Sequence, residues 1–314
     1  MTLEQFMKRY PDESSCKSAW RKIREREGIV CPVCGGITYY WKADKECFEC
    51  KSCQHRQSLR AGTVMHNSHL PFRYWFIAMF LLTMTKNTFS ASEVQRQIGH
   101  KNYVPIWTLL HKLRSIMGLR DTAYQLVGHA EVDDAFYTTG SKDIDKDNLN
   151  RGRGSQRMTK VLVMAQTEKP SLDTTSAKAH SKPTALKFIK MNVIPDLKSA
   201  TIDNVMTEAV DPSSAITSDK STSYGNFKNM FNSHSSQVIS PSDIGKVLPW
   251  VHIAISNSKR MISNVYHNVH SEYLQYYLNE FCYKQNRRYF GNNLFDRLLL
   301  AAVSLRNTFR YQSA

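Results

Sequence analysis

Glu131-Val132-Asp133-Asp134-Ala135-Phe136-Tyr137 sets carboxylates into a short apolar and aromatic run with the character of a β-strand. Burying a carboxylate inside a strand is costly unless the group is paired or holds a cation, so an acidic strand is a candidate metal site. An edge strand with solvated acids would carry the same residues. The neighbours of this stretch decide between the two readings.

Downstream, residues 138–160 form a polar insertion rich in Gly, Lys, Arg and Asp, whose run Arg151-Gly152-Arg153-Gly154, with Arg157 and Lys160, suits a path along phosphates or a solvated loop. Residues 161–166 and 185–193 read as strands, 201–209 as a helix, and Ala215-Ile216-Thr217-Ser218-Asp219 as a short apolar run ending on a carboxylate. This order fits a mixed sheet flanked by helices, in which acids from two adjacent strands meet at one edge. Residues 251–265 read as a helix. At about 100° per residue, His252, Ser256, Lys259 and Ser263 share one stripe opposite Ala254, Ile255, Met261, Ile262 and Val265. Asn257 lies roughly 140° from His252, too far round for both to reach one ion. An ordinary amphipathic helix with an exposed histidine would show the same stripe. Tyr273, Leu274, Tyr277, Leu278 and Phe281 repeat at helical spacing and mark a core helix.

Upstream, Thr2 and Gln5 have capping-box spacing, and residues 12–27 read as a helix stopped by Gly28. Cys31-Pro32-Val33-Cys34 and Cys50-Lys51-Ser52-Cys53 then form two Cys-x-x-Cys knuckles, whose four thiolates can close tetrahedrally on zinc. Cys47 is a competing ligand only at the expense of the second knuckle, while Cys16 and Cys282 read as packing residues. Lys42, Lys45, Lys51 and Arg56 leave the ribbon open to DNA contact or to a purely structural role. Pro71 opens an apolar helix running to about residue 85. Ser90-Ala91-Ser92-Glu93, Val94, Ile98 and Gly99, followed by a 3.6-residue rhythm over 106–116, have helix-turn-helix dimensions, with Thr108, His111, Lys112 and Arg114 expected to face outward.

With 314 residues there is room for a sizeable core and one or two small modules. The formal net charge of +15, spread along the chain, suits a polyanionic partner. Residues 1–10 lack the apolar core of a signal peptide, and the longest apolar stretch, 75–82, is too short to cross a bilayer. A cytosolic protein with reduced thiols is the expectation.

Several pieces together resemble the zinc-ribbon DDE transposases of bacterial insertion sequences, the family numbered fifteen ninety-five, related to the eukaryotic Merlin elements. They are Pro11-Asp12-Glu13 with Cys16, Cys31-Pro32-x-Cys34-Gly35, Gly62-Thr63, Ser68-His69-Leu70-Pro71, the helical pair, Glu131-Val132-Asp133-Asp134, Tyr277-Leu278-Asn279-Glu280-Phe281 and Asn286-Arg287-Arg288. The resemblance implies an α+β multidomain chain: a helical lead-in (1–28), a zinc ribbon (29–60), a helix-turn-helix-like DNA-binding region (61–125), a ribonuclease-H-like α/β catalytic core (126–270) with the basic insertion 138–160, and a C-terminal helical segment (271–314). It further implies Asp133 and Asp219 as the first two metal ligands. The third member in this family is Glu, Asn or His placed seven residues before a lysine, which here is His252 before Lys259, in agreement with the stripe.

One neutral nitrogen in place of a charged oxygen should hold Mg²⁺ less firmly and tolerate Mn²⁺ comparatively well. Asp134 stands where relatives commonly carry Glu, leaving a second carboxylate beside the first. The implied chemistry is two-metal phosphoryl transfer: water cuts at the element's end, and the freed 3′-hydroxyl attacks target DNA. Lys259 would hold a phosphate near the metals. Thr108, Lys112, Arg114, Arg151, Arg153, Arg260, Arg287 and Arg288 would hold flanking DNA. The implied cofactors are structural Zn²⁺ and catalytic Mg²⁺ or Mn²⁺. The implied partners are double-stranded DNA, both element ends and target, and further copies of the chain in a dimer or higher oligomer. No membrane is involved, and the setting is a bacterial, nucleoid-associated cytoplasm. Two other classes share parts of this pattern: a metal-dependent nuclease without strand transfer, and an inactive or domesticated DNA-binding protein.

Overall fold

Thr2 Oγ1 accepts the Gln5 amide at 3.2 Å while the Gln5 side chain accepts the Thr2 amide at 2.9 Å, and this capping box starts α1 (Leu3–Arg9). Asp12 caps α2 (Glu13–Glu27) in the same way, and Gly28, at φ 87°, ends it in a conformation that L side chains rarely adopt. Each such cap stabilises its helix by about 1 kcal/mol. The computed structural model describes residues 1–140, 155, 157–168, 184–238 and 247–310. The chain divides into two units, Met1–Arg120 with Arg287–Ala314, and Asp121–Asn286.

In the first unit, β1 (Tyr39–Lys42), β2 (Cys47–Cys50) and β3 (Arg56–Ser58) form an antiparallel sheet in that order. The sheet is tied to α2 by polar groups buried with their partners satisfied. The Trp20 indole donates to Leu59 O at 3.0 Å, and the buried Arg24 guanidinium donates to Ser58 O and Leu59 O at 2.9 Å. α3 (Phe72–Met84) buries Phe72, Trp75, Phe76, Ala78, Met79, Phe80 and Leu82, and a helix apolar on so many sides belongs inside a core. α4 (Ala91–Ile98), capped by Ser90 and closed by Gly99, leads into α5 (Tyr103–Asp121), so the two helices around a tight turn form as expected.

The expected outward face of α5 is corrected, however, because His111 and Arg114 are 0% and 1% exposed. The C-terminal segment returns over His111, while Arg114 reaches the Thr88 hydroxyl at 3.5 Å. The Phe309 ring stacks on His111 at 5.2 Å, Trp107 lies against His111 at 4.0 Å, and Thr308 joins Ser115 through a hydroxyl contact of 2.9 Å. Helical periodicity identifies a polar face, but it contains nothing about a strand of chain arriving from nearly two hundred residues away.

The second unit is built on a five-stranded sheet made of β4 (His129–Thr138), β5 (Met158–Glu168), β6 (Ala185–Ile194), β7 (Ala215–Asp219) and β8 (Ser233–Gln237) in the spatial order β6-β5-β4-β7-β8. β5 and β6 run antiparallel to their neighbours, whereas β7 and β8 run parallel to β4. α6 (Ser199–Ala209) is the crossover leading into β7, and α7 (Phe227–Met230) lies in the connection to β8. The strand alternation divides the core cleanly. Ala130, Val132, Leu162 and Met164 pack with α6 residues Ile202 and Met206, and with Tyr224 and Phe227. Ala135, Tyr137, Val161, Val163 and Ala165 pack on the other face, against α8 (Pro249–Ser263) and α9 (Ser271–Asn286). β5 is buried on both faces and accordingly reads as an unbroken apolar run.

The edge strand β6 does not expose all its backbone. Gln275 and Asn286 of α9 accept the amides of Val193 and Ile189 at 2.7 Å and donate to the carbonyls of Met191 and Ile189. α10 (Leu294–Ser304) belongs to the first unit and packs on α3 and α2. Among the described residues no helix is long and apolar enough to cross a membrane.

Candidate functional site

The first constellation is local. Cys31, Cys34, Cys50 and Cys53 bring four Sγ atoms within 4.8 Å of one another, as the two knuckles predict. Sγ separations of 3.5 Å (Cys31 to Cys53) and 3.6 Å (Cys34 to Cys50) are far too long for disulfides. They are close to the edge of a tetrahedron with Zn–S bonds of about 2.3 Å. Backbone amides of Cys53 and then Ser52 point at the Cys50 sulfur and lower its pKa, which favours a thiolate at that position. Gly36 lines the cradle, where an added Cβ would come within 3.2–3.3 Å of the Cys50 and Cys34 sulfurs and the Ser52 hydroxyl. Cys47 is buried outside the cluster, and Cys16 and Cys282 are buried packing residues whose thiols are raised mainly by burial, Cys16 to about 12.

The second constellation is assembled from distant segments. Asp133 sits mid-strand on β4. Strand alternation gives it the face of Ala135 and Tyr137, which is the face covered by α8. Val132 pairs with Ser218 in the parallel register, so the next positions, Asp133 and Asp219, lie side by side on adjacent strands. Asp219 is the last residue of β7, and one of its oxygens accepts the Ser221 amide at 3.2 Å. From α8, His252 places Nδ1 3.7 Å from Asp133 Oδ2, longer than a hydrogen bond. Its other nitrogen, Nε2, is buried with no hydrogen-bond partner among the described residues. Burial lowers the histidine pKa and keeps the ring neutral, the form that ligates metals.

Lys259, two turns further along α8, holds its Nζ 5.4 Å from the Tyr137 ring, and partial burial lowers its pKa as well. Two carboxylates at neighbouring positions of adjacent strands, one of them 3.7 Å from an imidazole whose other nitrogen is orphaned, fit a divalent-cation site. Among the described residues, the four cysteines are the one set of three or more ligand side chains converging within 4.8 Å, so the acidic set is the more open of the two.

Asp134 points the other way. Its carboxylate accepts from the Tyr224 hydroxyl at 3.4 Å, on the α6 side of the sheet. Burial, and after it the charges of Asp134, Asp133 and Asp219, hold the Tyr224 proton on far above the usual phenol range. Asn257 is exposed and His252 half-buried. Glu131, on the Asp133 face of β4, is only 4% exposed and was assigned no role from sequence.

The expected DNA contacts fare unevenly. Arg260 and Arg288 are exposed, and Arg288 donates to the Tyr289 hydroxyl at 2.8 Å. Arg287 is buried (9% exposed), as is Arg114, so neither offers a surface charge as expected. Thr108 and Lys112 are half-buried, with Lys112 Nζ donating to His66 O at 2.9 Å. Arg151 and Arg153 lie outside the described residues, with most of the basic insertion. Sequence reasoning passed over Lys101, Asn102, Tyr103 and Val104, which are exposed at the start of α5.

Residues 125–286 match the ISXO2-like transposase domain, a stretch that contains every residue of the acidic constellation. The chain is also similar to an uncharacterized protein in the transposable element ISH50 of Halobacterium salinarum, with 22% identity over 152 residues. That similarity covers 47% of this chain and 50% of the relative, so the chain spans half the length of the curated protein it matches.

Proposed function

The chain belongs to the ISXO2-like transposase family, and from that premise we propose that it cleaves the ends of its own insertion sequence and joins the freed 3′-hydroxyl to target DNA. The observation that carries this reading is the placement of His252 3.7 Å from Asp133 on one face of the sheet, with Asp219 beside Asp133 on the next strand. The strand order, three antiparallel strands followed by two parallel to the first, supports a ribonuclease-H-like core.

Asp133, Asp219 and His252 would hold divalent cations there. When bound, such ions supply the positive charge that stabilises attacking and leaving oxygens in an in-line displacement at phosphorus. Lys259, on the same helix as His252, binds a phosphate of the strand being cut, where a fixed positive charge is effective. Neutral His252 contributes no negative charge, so the set depends on the two aspartates for its anionic character. The four cysteines bind zinc and hold the ribbon. The ribbon, the exposed start of α5 and the basic surface residues Arg260 and Arg288 engage duplex DNA. Pairing of two element ends calls for at least two copies of the chain.

The test is cleavage and joining of DNA carrying the element's terminal sequences, in Mg²⁺ and in Mn²⁺. Wild type should give joined products, more readily in Mn²⁺, and Asp219→Asn and His252→Ala should lose both steps by more than about a hundredfold, beyond what loss of an outer-shell partner costs. Asn257→Ala should behave as wild type. Cleavage without joining would assign the protein to the nucleases. Activity that survives His252→Ala but not Asn257→Ala would replace the third ligand.

A further inference from the structure

α8 lacks a local cap. Its N-cap residue is Leu248, whose side chain accepts nothing, and Pro249 at the first helical position has no N–H. The amides of Trp250 and Val251 are therefore left as orphan donors in the first turn, and both find the same acceptor, Glu131 Oε2, at 2.8 and 3.0 Å. Glu131 lies 119 residues earlier than Trp250, is 4% exposed, and stands two positions before Asp133 on β4, hence on the same face of the sheet. A carboxylate at a helix N-terminus gains both from the amides and from the helix dipole, and an amide-bound buried carboxylate holds its helix in one place.

His252 follows Val251 directly, and its own amide closes the first turn on Leu248 O. One strand thus presents Asp133 and, two residues away, the anchor for the turn that carries His252.

We infer that Glu131 is a positioning residue of the proposed metal site, fixing the first turn of α8 so that His252 stays within ligand distance of Asp133. This inference rests on the reading of that site given above. The same device occurs elsewhere without a functional side chain attached. Glu13 accepts the amides of Phe72 and Arg73 at 2.9 and 2.8 Å and caps α3, whose N-cap, Pro71, has no side-chain hydrogen bond to offer. Glu13 is therefore a natural control for loss of a long-range cap as such.

The experiment uses the full-length, zinc-loaded chain and two readings: Mn²⁺ affinity by the paramagnetic resonance signal of free Mn²⁺, and amide hydrogen exchange over residues 248–256. Glu131→Ala should speed exchange across that segment and weaken Mn²⁺ binding about tenfold, the lower end of the cost of losing a group that orients a ligand. Glu131→Gln keeps an acceptor oxygen and should restore most of both. Glu131→Asp keeps the charge but is one methylene too short, and should resemble Ala. Should Glu131→Ala fail to accumulate as folded protein, Glu131→Asp takes its place with the same expectations. Glu13→Ala should leave Mn²⁺ affinity as in wild type.

Unchanged exchange over 248–256 in Glu131→Ala would overturn the anchor. Faster exchange with undiminished Mn²⁺ affinity would reduce Glu131 to a structural cap and overturn the positioning role. If Asp133→Asn and His252→Ala, in which the cap is intact, bind Mn²⁺ as wild type does, the site itself is misread and the inference falls with it.

Discussion

The two constellations are built on opposite principles. The four-cysteine cluster draws all its side chains from residues 31–53, two from each knuckle. The acidic set draws Asp133, Asp219 and His252 from two strands and a helix spread over 120 positions, and depends on sheet register to bring them together. The first should therefore fail locally when a ligand is lost. The second should keep its fold when a ligand is lost and fail only in chemistry.

The largest effect expected from breaking this contrast is in the ribbon. Its three short strands bury little beyond Phe48 and the cysteines, so zinc held by the four cysteines would supply most of the free energy that orders it. Cys50→Ser, or removal of zinc by a chelator, should abolish hydrogen-exchange protection across β1–β3 while β4 and β5 keep theirs. Zinc content is read in parallel by mass spectrometry. Persistent protection in a zinc-free ribbon would show that the strands hold without metal and that the cluster is no folding staple.

A smaller effect separates two histidines that sequence reasoning placed alike on outward helix faces. His252 lies half-buried with Nδ1 3.7 Å from Asp133 Oδ2, whereas His111 is enclosed by Trp107 and Phe309, and burial, followed by the charge of Arg114, pushes its pKa down to about 2. The unfolded chain binds a proton at His111 near pH 6.5 and the folded chain does not, so the unfolded state holds more protons in between. Stability should be complete above that pH and fall as the pH is lowered through the window below it. His111→Phe, which keeps a ring between the two aromatics, should flatten the acid limb of the thermal-unfolding midpoint against pH. An unaltered acid limb would mean that His111 is not a source of it.

These contrasts also explain what could be read from the sequence. Capped helices such as 13–27 and 91–98, and strands such as β5, are legible because their signals lie within one turn or one run. β8 is not, since Ser233-His234-Ser235-Ser236-Gln237 is a polar, exposed edge strand with neither alternation nor apolar content. The convergence of the four cysteines is legible from their spacing. His252 and Lys259 were legible as a stripe, which gained meaning from the resemblance of the whole chain to a known family. Contacts between distant segments left no mark: Phe309 over His111 and Glu131 under α8 each join residues more than a hundred positions apart. Arg114 and Arg287 are buried against expectation because a basic residue carries the same signal in sequence whether it ends exposed or enclosed.

The smallest expected effect tests the sheet's alternation directly. Asp133 and Asp134 are chemically identical neighbours, and a metal site that merely required acidity could use either. β4 sends them to opposite faces: Asp133 toward His252, and Asp134 toward Tyr224, whose hydroxyl donates to it at 3.4 Å. That contact is long for a hydrogen bond and contributes little. Asp134→Asn should therefore lower cleavage only a few-fold and leave Mn²⁺ affinity unchanged, while Asp133→Asn should lose more than about a hundredfold in cleavage and most of the affinity. Two aspartates removed with equal consequence would mean that β4 twists enough at this point for both to reach the ions, and the one-face description of the site would have to be abandoned. Unequal consequences would locate the specificity of the site in strand register, since no difference in side-chain chemistry separates the pair.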